Sequence, residues 1–220
     1  MRRFRQCPPP GVLALACVLA GAGLHGVAIR GDAATVSIDV VRRDEAIVIE
    51  ASALIAADTS TAWRVLTDYG RYVEFIPDLR VSKVVARHGS QVVVRQSGDA
   101  ALWRLRVPID VTYEITETAP ARLRSRAVAG SLRMLESDYT LTPRPPGVRL
   151  DYVGRAATGF GLPGPLEEIV VERNVARQFR ALVDAIERRA VGEREDAAAA
   201  TPAPIERQSP PDGQVQRPGR

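Results

Sequence analysis

Residues Trp103 to Ile115 read WRLRVPIDVTYEI, and the alternation in this run decides the fold. Trp103, Leu105, Val107, Ile109, Val111, Tyr113 and Ile115 fall on one side of an extended chain. Arg104, Arg106, Asp110, Thr112 and Glu114 fall on the other, because successive side chains of a strand point to opposite faces. A strand with one apolar and one charged face belongs to an antiparallel sheet that is covered on one side only. Pro108 stands on the polar side, where its missing N–H predicts a bulge or bend.

The same period of two spreads outward from this strand. Val81 to Ala86 and Gln91 to Gln96 flank the turn Arg87-His88-Gly89-Ser90 as a hairpin. Downstream, Arg122, Arg124 and Arg126 alternate with Leu123 and Ser125, and Leu135, Ser137, Tyr139 and Leu141 alternate with Glu136, Asp138 and Thr140. Val148, Leu150, Tyr152, Gly154 and Ala156 then oppose Arg149, Asp151 and Arg155. Upstream, Ala46 to Ala53 (AIVIEASA) is a strand with Ile47, Ile49, Ala51 and Ala53 on one face. Asp58 or Ser60 caps a helix carrying Ala62, Trp63, Val65 and Leu66, and a second short turn around Tyr69 to Phe75 stops near Pro77. The longest helix is marked by Gly164, by Pro165 at its first position, by Glu167 and Glu168 in its first turn, and by Arg188, Arg189 and Gly192 at its end. Its apolar stripe is Leu166, Ile169, Val170, Val175, Phe179, Leu182, Val183 and Ile186. These elements predict an α+β fold: a curved antiparallel sheet of about seven strands wrapped around a long C-terminal helix, with two short helices after the first strand.

The chain of 220 residues, 45% hydrophobic and 25% charged, has the size of one domain with extensions. Residues 1–28 read as a signal peptide: Arg2, Arg3 and Arg5 precede the apolar run Val12 to Ala20, and small residues place cleavage within 22–34. This predicts a periplasmic or secreted protein. The uncharged run Val12 to Ile29 is also just long enough for a membrane span, so an uncleaved anchor is the alternative. Residues 29–45 form an N-terminal extension, 46–190 the folded domain, and 191–220 a tail whose composition predicts disorder.

Composition removes several classes of function. The net charge of +4 is spread along a chain whose one lysine is Lys83, with no polycationic surface to bind nucleic acid. Cys7, Cys17 and His25 lie in or beside the leader, so the mature chain keeps only His88, in a turn. No disulfide framework, thiolate zinc site or multi-histidine metal site can be assembled from it, and a serine-histidine-acid triad would have to use that loop histidine. No phosphate-binding glycine loop is present. The expectation is therefore no metal and no cofactor.

Ala62-Trp63-Arg64-Val65-Leu66-Thr67-Asp68-Tyr69 followed by Arg71-Tyr72-Val73-Glu74-Phe75-Ile76-Pro77 resembles a segment of the START-like (SRPBCC) superfamily, and more narrowly its polyketide cyclase/dehydrase and coenzyme Q-binding START-like branch. The resemblance covers the chain from Ala46 to Arg189. It implies the helix-grip fold and a deep apolar cavity between the sheet and the C-terminal helix. The residues that would line it are Trp103, Leu105, Tyr113, Leu135, Tyr139, Tyr152, Phe179 and Leu182. Phe160 and Leu162, in the Gly-rich connection Thr158 to Pro165, would act as a lid with transient membrane contact, against the simpler role of satellite packing. The expected partner is a hydrophobic, lipid-like small molecule such as a quinone, sterol, fatty or polyketide-like compound. Burying about 400 Å² of apolar ligand surface is worth on the order of 10 kcal/mol before association costs. The competing readings are an aromatase/cyclase-type enzyme, for which Glu136 and Asp138 are the available acids, and a protein-interaction module using the outer arginines. Binding is favoured over catalysis because alternation puts those acids on the solvent face.

Overall fold

The sheet begins earlier than the strand pattern from Ala46 predicts. In the computed structural model, which describes residues 34–102, 104–159 and 161–200, the N-terminal extension supplies a strand of its own, β1 (Val36–Arg43), with Val36, Ile38 and Val40 half-buried between more exposed neighbours. The chain reverses at Asp44, whose φ of 55° is left-handed, and enters β2 (Ala46–Ile55) with Arg43 opposite Ala46. Helix α1 (Thr59–Thr67) follows, and Asp58 is its cap: the carboxylate accepts from the Ser60 hydroxyl at 2.6 Å and the Thr61 N–H at 2.8 Å. Those bonds, Ser60's foremost, hold the Asp58 carboxyl down at about 2. A 3₁₀ turn (Tyr69–Glu74) completes the crossover.

Six strands then form a meander: β3 (Leu79–His88), β4 (Gln91–Leu102), β5 (Leu105–Thr118), β6 (Arg122–Gly130), β7 (Met134–Arg144) and β8 (Gly147–Ala157). β8 returns to pair with β2, giving one antiparallel sheet of eight strands in the order β1-β2-β8-β7-β6-β5-β4-β3. The sheet therefore has one strand more than the sequence pattern predicts. Pro108 causes no irregularity with β4. Asp110 turns its N–H and C=O toward Ser131. Pro108, two residues earlier, faces the same side, past the last β5–β6 pair at Val111 and Gly130, so its missing N–H has no strand to serve. The shift in register falls instead between Thr112 and Tyr113.

Helix α2 (Gly164–Ala200) lies across the concave side, touching β4 at one margin and β1 and β2 at the other. It runs past the end expected from Gly192, which corrects the reading of residues 191–200 as disordered. A Cβ at Gly192 would meet nothing within 4 Å, so this glycine imposes no stop. Glu193 ties the extra turns to α1 through the Thr61 hydroxyl (2.6 Å) and Arg64 (2.6 Å), and Ala197 to Ala200 are the strongest helix formers. The signal-peptide reading of 1–28 and the remainder of the tail, 201–220, lie outside the described residues. The core gathers Ile47, Ile49, Ile55, Val148 and Leu150 of the sheet against Val183 and Ile186 of α2, all fully buried. This is the helix-grip architecture.

Candidate functional site

The concave face is not filled evenly. Along one row of directly opposed residues, Ile115 meets Ser125, Ser125 meets Ser137, Ser137 meets Gly154 and Gly154 meets Ile49. β6, β7 and β8 thus present Ser, Ser and Gly side by side, while the next row carries Leu123, Tyr139, Tyr152 and Ala51. Small side chains on three adjoining strands leave a hollow beneath α2. Gly154 is required there, since a Cβ would lie 2.5 Å from the Tyr152 hydroxyl: the tyrosine ring leans over the glycine. The cavity measures about 260 Å³, room for about nine waters and a little under the roughly 300–1,000 Å³ of drug-sized sites.

Of the residues expected to line it, Tyr113, Leu135, Tyr139, Tyr152 and Leu182 do. Phe179 does not. It is buried in the solid core behind Tyr152, the two ring centres 6.4 Å apart. Leu162 is not among the described lining residues and packs beside Leu166, Val107 and Ile109 on Ala100 and Val170. Its niche comes from the first turn of α2 meeting the start of β5. The flanking Gly159 and Gly161 both take φ of 69°, which explains these glycines without a hinge. Leu105 opens β5, and only its strand position is described. Trp103 and Phe160 lie outside the described residues.

The cavity wall is apolar and phenolic. The Tyr139 and Tyr152 rings pack with their centres 4.6 Å apart and their planes tilted by 47°. Burial pushes the Tyr152 hydroxyl up to about 12, with a bond from Ser137 acting against the shift. Burial raises Tyr113, Tyr139 and Tyr72 as well, Tyr113 and Tyr139 further through neighbouring tyrosines and Tyr72 through Asp68. Every one of these phenols is neutral in the physiological range. The Ser125 and Ser137 hydroxyls are 2.7 Å apart and complete a polar patch on the floor. No arginine, lysine or histidine is among the described lining residues.

Charge is confined to the mouth, where the turn before β3, the strand β4 and α2 converge. Asp78, in a left-handed conformation (φ 61°), meets Arg177 of α2 at 2.6 Å, charge to charge and outside hydrogen-bond angles. Asp99 is held by Arg80 and, at 3.5 Å, by Arg106. Gly98 is pressed against the Asp78 carbonyl, leaving no space for a Cβ. Asn174 lies just inside. Its amide accepts from Ala101 N–H at 3.0 Å and donates to Ala101 and Val170 carbonyls at 3.2 and 2.6 Å, pinning α2 to the end of β4. Asn174 has a sequence signal, as a polar residue on the inward stripe between Val170 and Val175. Ser125 and Ser137 also stood on inward registers, but nothing local showed that they share a row.

Glu136 and Asp138 are on the outer register, as alternation predicts. Asp138 accepts from Arg122 and Arg124, and Glu114 pairs with Arg126 at 2.6 Å. These charges form ladders on the far side of the sheet from the cavity. His88 ends β3, exposed, ahead of the left-handed Gly89. An inward-register carboxylate does exist in Glu117, but it lies beneath the 3₁₀ turn, taking the Tyr69 hydroxyl at 2.9 Å and Arg87 at 2.8 Å.

The sequence pattern of the family described as Polyketide cyclase / dehydrase and lipid transport matches residues 46–191. Solved structures share the fold at low identity. A STAR-related lipid transfer protein from Xanthomonas axonopodis is 18% identical, with a TM-score of 0.58 over 72% of this chain and 96% of that one. The Zhui aromatase/cyclase from a Streptomyces species is 18% identical, with a TM-score of 0.56 over 70% of this chain and 98% of that one. A START superfamily protein from Mycobacterium smegmatis is 16% identical, with a TM-score of 0.52 over 66% and 98%. No curated protein matches the chain.

Proposed function

From the premise that the chain belongs to the polyketide cyclase / dehydrase and lipid transport family, we propose that it is an exported protein that binds a compact hydrophobic small molecule reversibly in the cavity under α2. Family and fold fit either a hydrophobic-ligand binder or a polyketide-cyclase-like protein. The observation that carries the choice is the cavity wall: mostly aliphatic side chains and neutral phenols, with neutral amides and hydroxyls between them, and with Asp78 and Asp99 at the mouth as its charged members. Such a wall captures apolar surface, and its two carboxylates stand at the mouth, engaged by Arg177 and by Arg80 and Arg106. A cyclase would need a base at the substrate. Glu136 and Asp138 are on the opposite face, and burial raises the phenols away from that role. Export rests on Arg2, Arg3 and Arg5 before the apolar run Val12 to Ala20.

Purification from an exporting host, solvent extraction and mass spectrometry test this reading. The expected result is one dominant neutral apolar compound, lost on Tyr139→Asp with the fold intact, and a mature N-terminus within 22–34. Turnover of a polyketide-like substrate that depends on Glu136 or Asp138, with nothing co-purifying, would replace it with the enzyme reading.

A further inference from the structure

The floor of the cavity is more specific than an apolar pocket requires. Ser125 and Ser137 face each other across β6 and β7 with hydroxyls 2.7 Å apart, and the Tyr152 hydroxyl leans over Gly154, the residue directly opposite Ser137. All three side chains border the open volume. Three hydroxyls in a row can make at most two bonds among themselves, so at least one O–H always remains unspent. Among the described residues none of the three is hydrogen-bonded elsewhere. Rotating the hydroxyls reverses the direction of the row, which can therefore present either a donor or an acceptor. A hollow meant only for hydrocarbon would be better lined with Ala and Val, since a polar group facing apolar contents costs free energy unless it is bonded.

The same floor excludes charge. No cation among the described lining residues stands near it to pair with a carboxylate, and the arginines at the mouth, Arg177, Arg80 and Arg106, are already engaged by Asp78 and Asp99. The raised phenols report the same penalty on buried negative charge.

We propose that Ser125, Ser137 and Tyr152 dock the single neutral oxygen, carbonyl or hydroxyl, of an otherwise apolar ligand, and that the cavity rejects the corresponding carboxylate. The inference rests on the binding reading above and names the ligand class for that site.

Calorimetric titration of the full chain with 2-methylnaphthalene, 2-acetylnaphthalene and 2-naphthoate tests it. The ketone should bind about 3- to 10-fold more tightly than the hydrocarbon, the worth of one net hydrogen bond, and the carboxylate at least about 10-fold more weakly than the ketone. In the triple variant Ser125→Ala, Ser137→Ala and Tyr152→Phe, which removes every hydroxyl of the row, the ketone's advantage over the hydrocarbon should fall to within about two-fold. The double variant Ser125→Ala with Ser137→Ala, which leaves the Tyr152 hydroxyl alone, should lower the advantage part-way and gives the reading if the triple variant does not fold. Equal binding of ketone and hydrocarbon, or an advantage that survives both variants, overturns the docking point and leaves hydrophobic binding standing. Tight binding of the carboxylate overturns the exclusion of charge. Failure of both neutral probes to bind the native chain overturns the binding reading itself, and the docking point with it.

Discussion

The two halves of α2 rest on the same sheet and meet opposite conditions. From Phe179 to Ala190 the helix sits on solid packing, although Leu182 also borders the cavity: Phe179, Leu182, Val183, Ile186 and Ala190 are all buried, facing the level of the sheet that holds Leu150, Val148 and Ile55. From Val170 to Gln178 it bridges a hollow, held at the rim by Asn174 and Arg177. The difference lies in the sheet, where Ser125, Ser137 and Gly154 stand in one row and larger aliphatics fill the rows toward Ile55. A binding site is made here by removing volume from three adjoining strands while leaving the fold's anchoring half untouched.

The largest effect should separate the halves directly. Leu150→Ala, in the solid half, should cost about 2–5 kcal/mol in urea unfolding, whereas Leu135→Ala, which borders the hollow and is already half-exposed, should cost less than half of that. Equal costs would mean that the hollow is collapsed or filled in solution. Asn174→Ala should come next, at about 1–3 kcal/mol, because it strips partners from the Ala101 and Val170 backbone. A loss near zero would show that the rim of the hollow does not need its pin.

The anchored end gives the smaller effects. Asp58→Ala removes the α1 cap and should cost about 1 kcal/mol. Because the folded Asp58 carboxyl is depressed to about 2 from 3.8, its contribution is complete above its ordinary value and fades as pH falls through the folded one. The native protein should therefore lose stability between about pH 4 and pH 2 more steeply than the variant. Gly192→Ala should raise stability by about 0.5–1 kcal/mol, since the glycine is helical and faces open space. A destabilised variant would mean that the helix ends at Gly192 in solution and that the clamp by Glu193 is not formed.

The strand character of 103–115, the punctuation opening α2 and the inward tyrosines were legible because each is a local, periodic signal. β1 was legible too, in the alternation of Val36, Ile38 and Val40, but these residues fall within the stretch 29–45 read as an N-terminal extension. The extension of α2 was not, because what holds it is Glu193 meeting Thr61 and Arg64 of α1, more than a hundred residues away. The hollow itself was the least legible. Which inward residues share a row depends on turn lengths and on the bulge at Thr112 and Tyr113, and a shift of two residues would have put Ser125 beside Tyr139 instead of Ser137.

The pairing of β2 with β8 constrains the order in which this chain can assemble. The meander from β3 to β8 joins neighbours and can form progressively, but the β1–β2 hairpin has no other sheet partner than β8 and must wait until residues 147–157 have been made. Closing that span is the entropically costly step, so the domain should acquire its core late and all at once.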